Sequence, residues 1–155
     1  MCGIAGIIQL DSILSDPAIQ IESMLNAVIH RGPDSCGSWI DDRGHIVLGH
    51  RRLAIQDLSS LGHQPMVSKS GRYIISFNGE IYNFKELKQR FERAGHQFKG
   101  HSDTEVLLAL IEEGGLVRAA KQCKGMFALA LYDKIDNKVQ LCRDRIGEKP
   151  LYYGI

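Results

Sequence analysis

The sequence predicts a layered α+β domain. Two stretches that read as strands, "IVLGHRRLAI" and "MFALALY", carry apolar residues on both faces, so their sheet needs cover above and below. Stretches with helical spacing and capping residues lie between the sheet segments and supply that cover. The chain has 155 residues, 44% hydrophobic and 24% charged, which suits one domain with a sizeable core.

The elements follow in order. "CGIAGIIQL" is rich in Ile and light in charge, as a strand is. A helix is expected next, with Asp16 as its cap, Pro17 at its first position, and Ile21, Met24, Leu25 and Val28 on one face. Gly32 and Pro33 break that pattern. "CGSWIDDRGHIVLGHRRLAI" reads as a hairpin turning at Asp42 to Gly44. "GRYIISFNGEIYN" reads as a strand running into a turn at Asn78-Gly79. An amphipathic helix follows, with Asn83 and Glu86 as a capping box and Gly95 as its stop. "SDTEVLLALIEEGG" repeats that scheme, with Ser102 and Glu105 as the box and Gly114 as the stop, and "GLVRAAKQC" adds a shorter helical piece. "MFALALYDKIDNKVQLCRDR" is a hairpin turning near Asp136-Asn137. "KPLYYGI" reads as the start of another strand, so a partner strand beyond Ile155, or a shortened chain, is expected.

Composition excludes several classes. Nineteen basic and 18 acidic residues leave a net charge of +1, which gives no electrostatic reason to expect a nucleic acid or an acidic membrane. No apolar run approaches the roughly 18 to 20 residues of a membrane span. No basic stretch followed by an apolar one marks a signal peptide, so a cytoplasmic protein is expected. Cys2, Cys36, Cys123 and Cys142 form no CxxC pair and lie in no zinc-ligand spacing with His, so no metal is expected. Cys36, Cys123 and Cys142 read as buried or half-buried thiols.

Four constellations bear on chemistry. Cys2 directly follows the initiator methionine and is either a small hydrophobe or a nucleophile exposed by removal of Met1. In "GHRRLAI", Arg51 and Arg52 point to opposite faces; one guanidinium is expected in a partly covered place, where it meets either an internal carboxylate or the carboxylate of a ligand. "FNGE" is a tight turn, or else its Asn amide and the following N–H converge as an oxyanion hole. In "HSDTE", Ser102 or Asp103 caps a helix, or an acidic group there holds a substrate ammonium. No Walker loop, dinucleotide fingerprint or Ser-His-Asp elbow is present.

Together "MCGIAG", "HRGPD", "RRLAIQD", "GHQPM", "FNGEIYN", "SDTE", "GMFALALYD" and "RDRIGEKPLYY" resemble, in order, the N-terminal glutaminase half of glutamine-hydrolysing asparagine synthetases. That half is a class II glutamine amidotransferase domain. The resemblance runs over residues 2–155 and implies the four-layer αββα sandwich of the N-terminal-nucleophile hydrolases. It implies Cys2 as the nucleophile, Asn78 and Gly79 as the oxyanion hole, and Arg52 as the clamp on the glutamine α-carboxylate. Glu80 and Asp103 match the groups around the α-ammonium. Arg52, Leu53, Ala54, Ile55 and Gln56 match the segment lining the substrate, although Gln56 stands where an aliphatic residue is expected. His30 to Asp34 match a support for the pocket. The implied partners are L-glutamine and a synthetase domain that this chain lacks; a homodimer is compatible with the resemblance. ATP and Mg²⁺ belong to that missing domain, and the glutaminase step needs no cofactor. Related domains that aminate a sugar or cell-envelope intermediate share the motifs, and a non-catalytic module built on the same domain is the other alternative.

The chemistry accounts for the position of Cys2. A free thiol is mostly protonated at neutral pH and needs a base. With Met1 removed, the α-amine belongs to Cys2 itself, titrates near neutrality, and can take the thiol proton directly or through a water, worth about 10²- to 10⁴-fold.

Overall fold

A computed structural model describes residues 2–9, 15–54 and 59–154. Strands β1 (Gly3–Ile8), β2 (Ser35–Ile40) and β3 (Ile46–Arg52) form one antiparallel sheet in the order β1-β3-β2. Strands β4 (Met66–Val67), β5 (Tyr73–Ile81), β6 (Gly125–Asp133) and β7 (Lys138–Arg143) form a second, in the order β4-β5-β6-β7. Helix α1 (Pro17–Ala27) packs on the first sheet; α3 (Asp103–Gln122) packs on the second, and α2 (Phe84–Arg93) packs against α3. The layers are therefore α, β, β, α, as the resemblance implies.

The two-residue period of a strand sorts the side chains between the layers. On β3, Val47 packs with Ile21 and Leu25 of α1, while Ile46 and Leu48 meet Ile74 and Tyr132 between the sheets. On β5 and β6, Ile75, Phe77, Leu129 and Leu131 turn to Leu107, Leu110 and Ile111 of α3. Each such buried Leu or Ile contributes roughly 1.5–3 kcal/mol. Arg72 closes one end of the β5–β6 pair, its Nε and Nη2 reaching Asp133 at 2.8 and 2.6 Å.

The same period resolves the Arg-Arg pair. Arg51 shares the face of Val47 and donates to Leu25 O at 3.0 Å and Asn26 Oδ1 at 2.6 Å, placing a cation at the C-terminal end of α1. Arg52 faces the other way. The expected strand ends there, and Leu53 and Ala54 lie beyond it.

Several local expectations need correction. Asn78 and Gly79 are not a turn: they lie inside β5, opposite Ala128 and Phe127 of β6. Gly79 is required by close approach, since a Cβ there would overlap Met126 and Phe127. Asp16 precedes α1 with left-handed backbone (φ 50°), and its carboxylate makes no capping bond; Pro17 disfavours the right-handed helical region for the residue before it. Asn83 does not cap α2 with its side chain, because both amide ends are engaged elsewhere: Nδ2 donates to Gln122 O and Oδ1 accepts from Lys124 N. Ser102 does cap α3, accepting from Glu105 N at 3.3 Å. The Glu105 carboxylate accepts from Lys99 N and Gly100 N rather than closing a box. The stop at Gly114 is a kink, with Gly115 at φ 77°, after which helix continues. "KPLYYGI" forms no strand over its described residues, and Tyr152 and Tyr153 are exposed. Cys36 is exposed rather than buried.

Candidate active site

Cys2 sits one residue before β1. The β1–β3 register pairs Gly3 with Arg51, which sets Cys2 opposite Arg52 at the end of β3. The thiol lies against the Leu53 main chain: Sγ accepts from Leu53 N at 3.4 Å and donates to Leu53 O at 3.7 Å. The 30–34 loop braces this segment from behind. Asp34 N donates to Arg52 O at 3.1 Å, Ala54 N donates to Asp34 Oδ2 at 2.8 Å, and Gly32 lies against the Arg51–Arg52 backbone with no room for a side chain.

The opposite wall is the open edge of β5. Strand β4 pairs only with Ile74 and Ile75, so the edge beyond it is uncovered by main chain. Alternation along β5 directs the N–H groups of Phe77, Gly79 and Ile81 to this edge. Phe77 N donates to Gln64 Oε1 at 2.7 Å, and Ile81 N donates to Asp103 Oδ2 at 2.9 Å. The Gly79 N–H lies between them, facing the cleft. Asn78, 6% exposed, has a buried Oδ1 without a hydrogen-bond partner among the described residues. A buried amide oxygen left unpaired costs stability.

One cleft joins Cys2, Arg52, Leu53, Asn78, Gly79, Glu80 and Asp103. Ala54 lies beside it, bonded to Asp34. Ile55 and Gln56 fall outside the described residues. The cleft is also lined by Gly62, Gln64, Phe77, Ser102, Thr104 and Met126, for which the sequence reading had no role in a site. The motif "GHQPM" was the one signal pointing to Gln64.

Charge is divided across the cleft, with a guanidinium at one side and two carboxylates at the other. Asp103, at the start of α3, is 7% exposed. Burial pushes its carboxyl up from 3.8 to about 6, the nearby Glu80 charge adds to the rise, and backbone N–H groups from Ile81, Thr104 and Asp103 itself only partly oppose it. His50, 1% exposed between the sheets, is pushed down to about 4 by burial, and its Nε2 donates to Phe77 O at 3.1 Å. It is therefore neutral at physiological pH.

The raised Asp103 has a consequence for stability. Its folded pKa of about 6 exceeds the ordinary value of 3.8, so the native state binds the proton more tightly than the unfolded chain. Its favourable contribution is fully present below about pH 4 and is lost as pH rises through 6. Asp103→Asn removes the ionisation cost and keeps an oxygen for Ile81 N. Its Tm at pH 8 should exceed wild type by about 3 °C, with the gap closing by pH 4, as read by thermal denaturation across pH.

The family model described as a glutamine amidotransferase domain matches residues 1–155. The chain belongs to that family. Curated relatives agree. Asparagine synthetase [glutamine-hydrolyzing] 2 of Bacillus subtilis (strain 168) is 43% identical over 155 residues, covering 99% of this chain and 20% of that protein. The enzyme named asparagine synthetase [glutamine-hydrolyzing] 1 from the same organism is 41% identical, covering 99% and 24%. A putative asparagine synthetase of Methanocaldococcus jannaschii is 39% identical over 169 residues, covering 99% and 32%. This amidotransferase domain thus spans 20% to 32% of the length of these relatives. Among solved structures, the glutamine phosphoribosylpyrophosphate amidotransferase of B. subtilis superposes with a TM-score of 0.76 at 23% identity, covering 91% of this chain and 37% of that one. That likeness shows the fold, an N-terminal-nucleophile hydrolase sandwich. Among the described residues no helix is long and apolar enough to cross a membrane.

Proposed function

We propose that this domain is the glutaminase half of an asparagine synthetase and that Cys2 hydrolyses L-glutamine to L-glutamate and ammonia. One observation carries the reading: a single cleft holds the thiol of Cys2, the guanidinium of Arg52, the carboxylates of Glu80 and Asp103, and the Asn78-Gly79 edge of β5. A free amino acid presents a carboxylate and an ammonium at one end. Arg52 matches the first bidentately; Glu80 and Asp103 match the second. The side-chain amide then points towards Cys2 and β5.

Removal of Met1 gives Cys2 a free α-amine, which takes the thiol proton. The thiolate attacks the amide carbon, and the carbonyl electron pair moves to oxygen. Asn78 Nδ2 and Gly79 N–H stabilise that oxyanion, each donor worth about 10²- to 10³-fold. Collapse of the intermediate expels ammonia, which leaves with the proton carried by the amine, and a γ-glutamyl thioester remains. Water attacks the thioester with the amine again as base, releasing glutamate and restoring the thiol. The step uses no metal and no cofactor. In the parent enzyme the ammonia would serve ATP- and Mg²⁺-dependent conversion of aspartate to asparagine in a synthetase domain, in the cytoplasm.

The test is glutamate release from L-glutamine together with the intact mass of the active protein. The expected result is turnover by a chain lacking Met1. Full activity in a chain that retains Met1 would refute the α-amine as base.

A further inference from the structure

The Phe77 main chain is held in an unusual way. Both of its polar groups are bonded to buried side chains from other segments. Gln64 Oε1 accepts from Phe77 N at 2.7 Å, and His50 Nε2 donates to Phe77 O at 3.1 Å. The β4–β5 register, Met66 with Ile75, would continue to Gln64 opposite Phe77. The main-chain ladder stops at Met66, and the Gln64 side chain supplies the acceptor that a longer β4 would have given. Its other end is anchored: Nε2 donates to Thr104 Oγ1 at 3.3 Å, in the first turn of α3. Since an N–H can meet only the amide oxygen, and that oxygen faces Phe77, the orientation of the Gln64 amide is fixed. Gln64 is 6% exposed and Thr104 3%.

The residue that follows Phe77 is Asn78, and Gly79 follows that. We propose that Gln64 is a positioning residue for the oxyanion site, locking the Phe77–Asn78 main chain to the first turn of α3. The proposal rests on the glutaminase reading above. Oxyanion donors act only within about 2.7–3.1 Å of the charge they stabilise, and displacements near 1 Å cost about 10²-fold in rate. Without Gln64 the Phe77 N–H loses its acceptor, and a buried N–H is left to find a partner by moving. The amino-acid end of the substrate is held by Arg52, Glu80 and Asp103, none of which bonds to Gln64 among the contacts described. Loss of Gln64 therefore acts on the rate of the covalent step rather than on binding.

The experiment uses Gln64→Met, which keeps length and removes both hydrogen bonds, and Thr104→Val, which removes only the anchor. Glutamate release is measured per active site, counted by stoichiometric labelling with a glutamine-analogue diazo-ketone. For Gln64→Met, kcat should fall about 10- to 100-fold with KM within about threefold of wild type and labelling retained. For Thr104→Val, kcat should fall about three- to tenfold with the same pattern. If Gln64→Met fails to fold, Thr104→Val decides alone. Wild-type kcat in the folded variants, or a rise in KM that matches the loss of kcat/KM, overturns the positioning role and leaves the glutaminase reading standing. No glutamate release by the wild-type protein would instead remove that reading and this inference with it.

Discussion

Cys2→Ala should abolish glutamate release and leave the fold unchanged. The covalent route has no substitute once its sulfur is gone, so the loss in kcat is expected at about 10⁴-fold or more. Stability should scarcely move. Cys2 is half-buried, and its contacts to Leu53, at 3.4 and 3.7 Å, are weak sulfur bonds. A Tm within about 2 °C of wild type, with glutamate release lost, separates a chemical role from a structural one. A variant that turns over glutamine near the wild-type rate would exclude Cys2 as the nucleophile.

Asp144→Ala should have the largest effect on stability, although Asp144 lies outside the proposed chemistry. Its carboxylate gathers five backbone N–H groups: Ile146, Gly147 and Glu148 on Oδ1 at 3.2, 2.7 and 2.9 Å, and Lys149 and Phe127 on Oδ2 at 3.0 and 3.2 Å. Burial alone would raise its pKa, but these donors outweigh burial and hold it down at about 2. Alanine removes the acceptor these donors share, although Gly147 N keeps its bond to the Asp144 main-chain O at 3.1 Å; the expected cost is about 3–5 kcal/mol, or a Tm lower by about 10 °C. The pH dependence has a defined sign. The folded pKa lies below the ordinary 3.8, so the stabilisation is fully present above about pH 4 and is lost as pH falls towards 2. The gap between wild type and variant should be constant from pH 5 to 8 and close below pH 4. A gap unchanged at pH 2.5 would show that the charge of Asp144 is not what binds the loop.

That loop shows where the sequence was legible and where it was not. "RDRIGEKPLYY" marked the family, but its physics is local and hidden in main-chain geometry. Asp144 organises the turn, and Arg145 donates to Ala120, Lys121 and Cys123 carbonyls at the end of α3. The layering was readable because period-2 and period-3.6 patterns report burial directly: apolar faces on both sides of "IVLGHRRLAI" and "MFALALY" required cover above and below, while the four-layer arrangement came from the resemblance. The split between Arg51 and Arg52 was readable for the same reason. Which arginine faced the cleft came from the resemblance, as Arg52, and not from the alternation, because that depends on where α1 crosses the sheet.

The Asn78-Gly79 pair illustrates a misleading local signal. Asn-Gly favours turns in isolation, yet here the nine-residue β6 pairs with all nine residues of β5, and the absent Cβ is needed by the neighbouring strand. Cross-strand pairing outweighs the preference of two residues. Asn83 misled similarly, since its side chain is drawn to the end of α3 rather than to its own helix. Gln64, Thr104 and His50 carried no periodic or spacing signal at all. They meet β5 only because the β4 ladder stops at Met66 and the two sheets stack.

The most direct measurement is the location of a covalent label. A diazo-ketone analogue of glutamine alkylates the attacking sulfur and loses dinitrogen, and peptide mass analysis identifies the residue. The chain offers a built-in comparison. Cys36 is exposed and open to any alkylating agent, whereas burial pushes the Cys123 thiol up to about 11 and raises that of Cys142. The predicted result is one label per chain, on Cys2, blocked by excess L-glutamine while a general alkylating agent still reaches Cys36. A glutamine-protected label on Cys36, Cys123 or Cys142 would contradict the assignment of Cys2 as nucleophile.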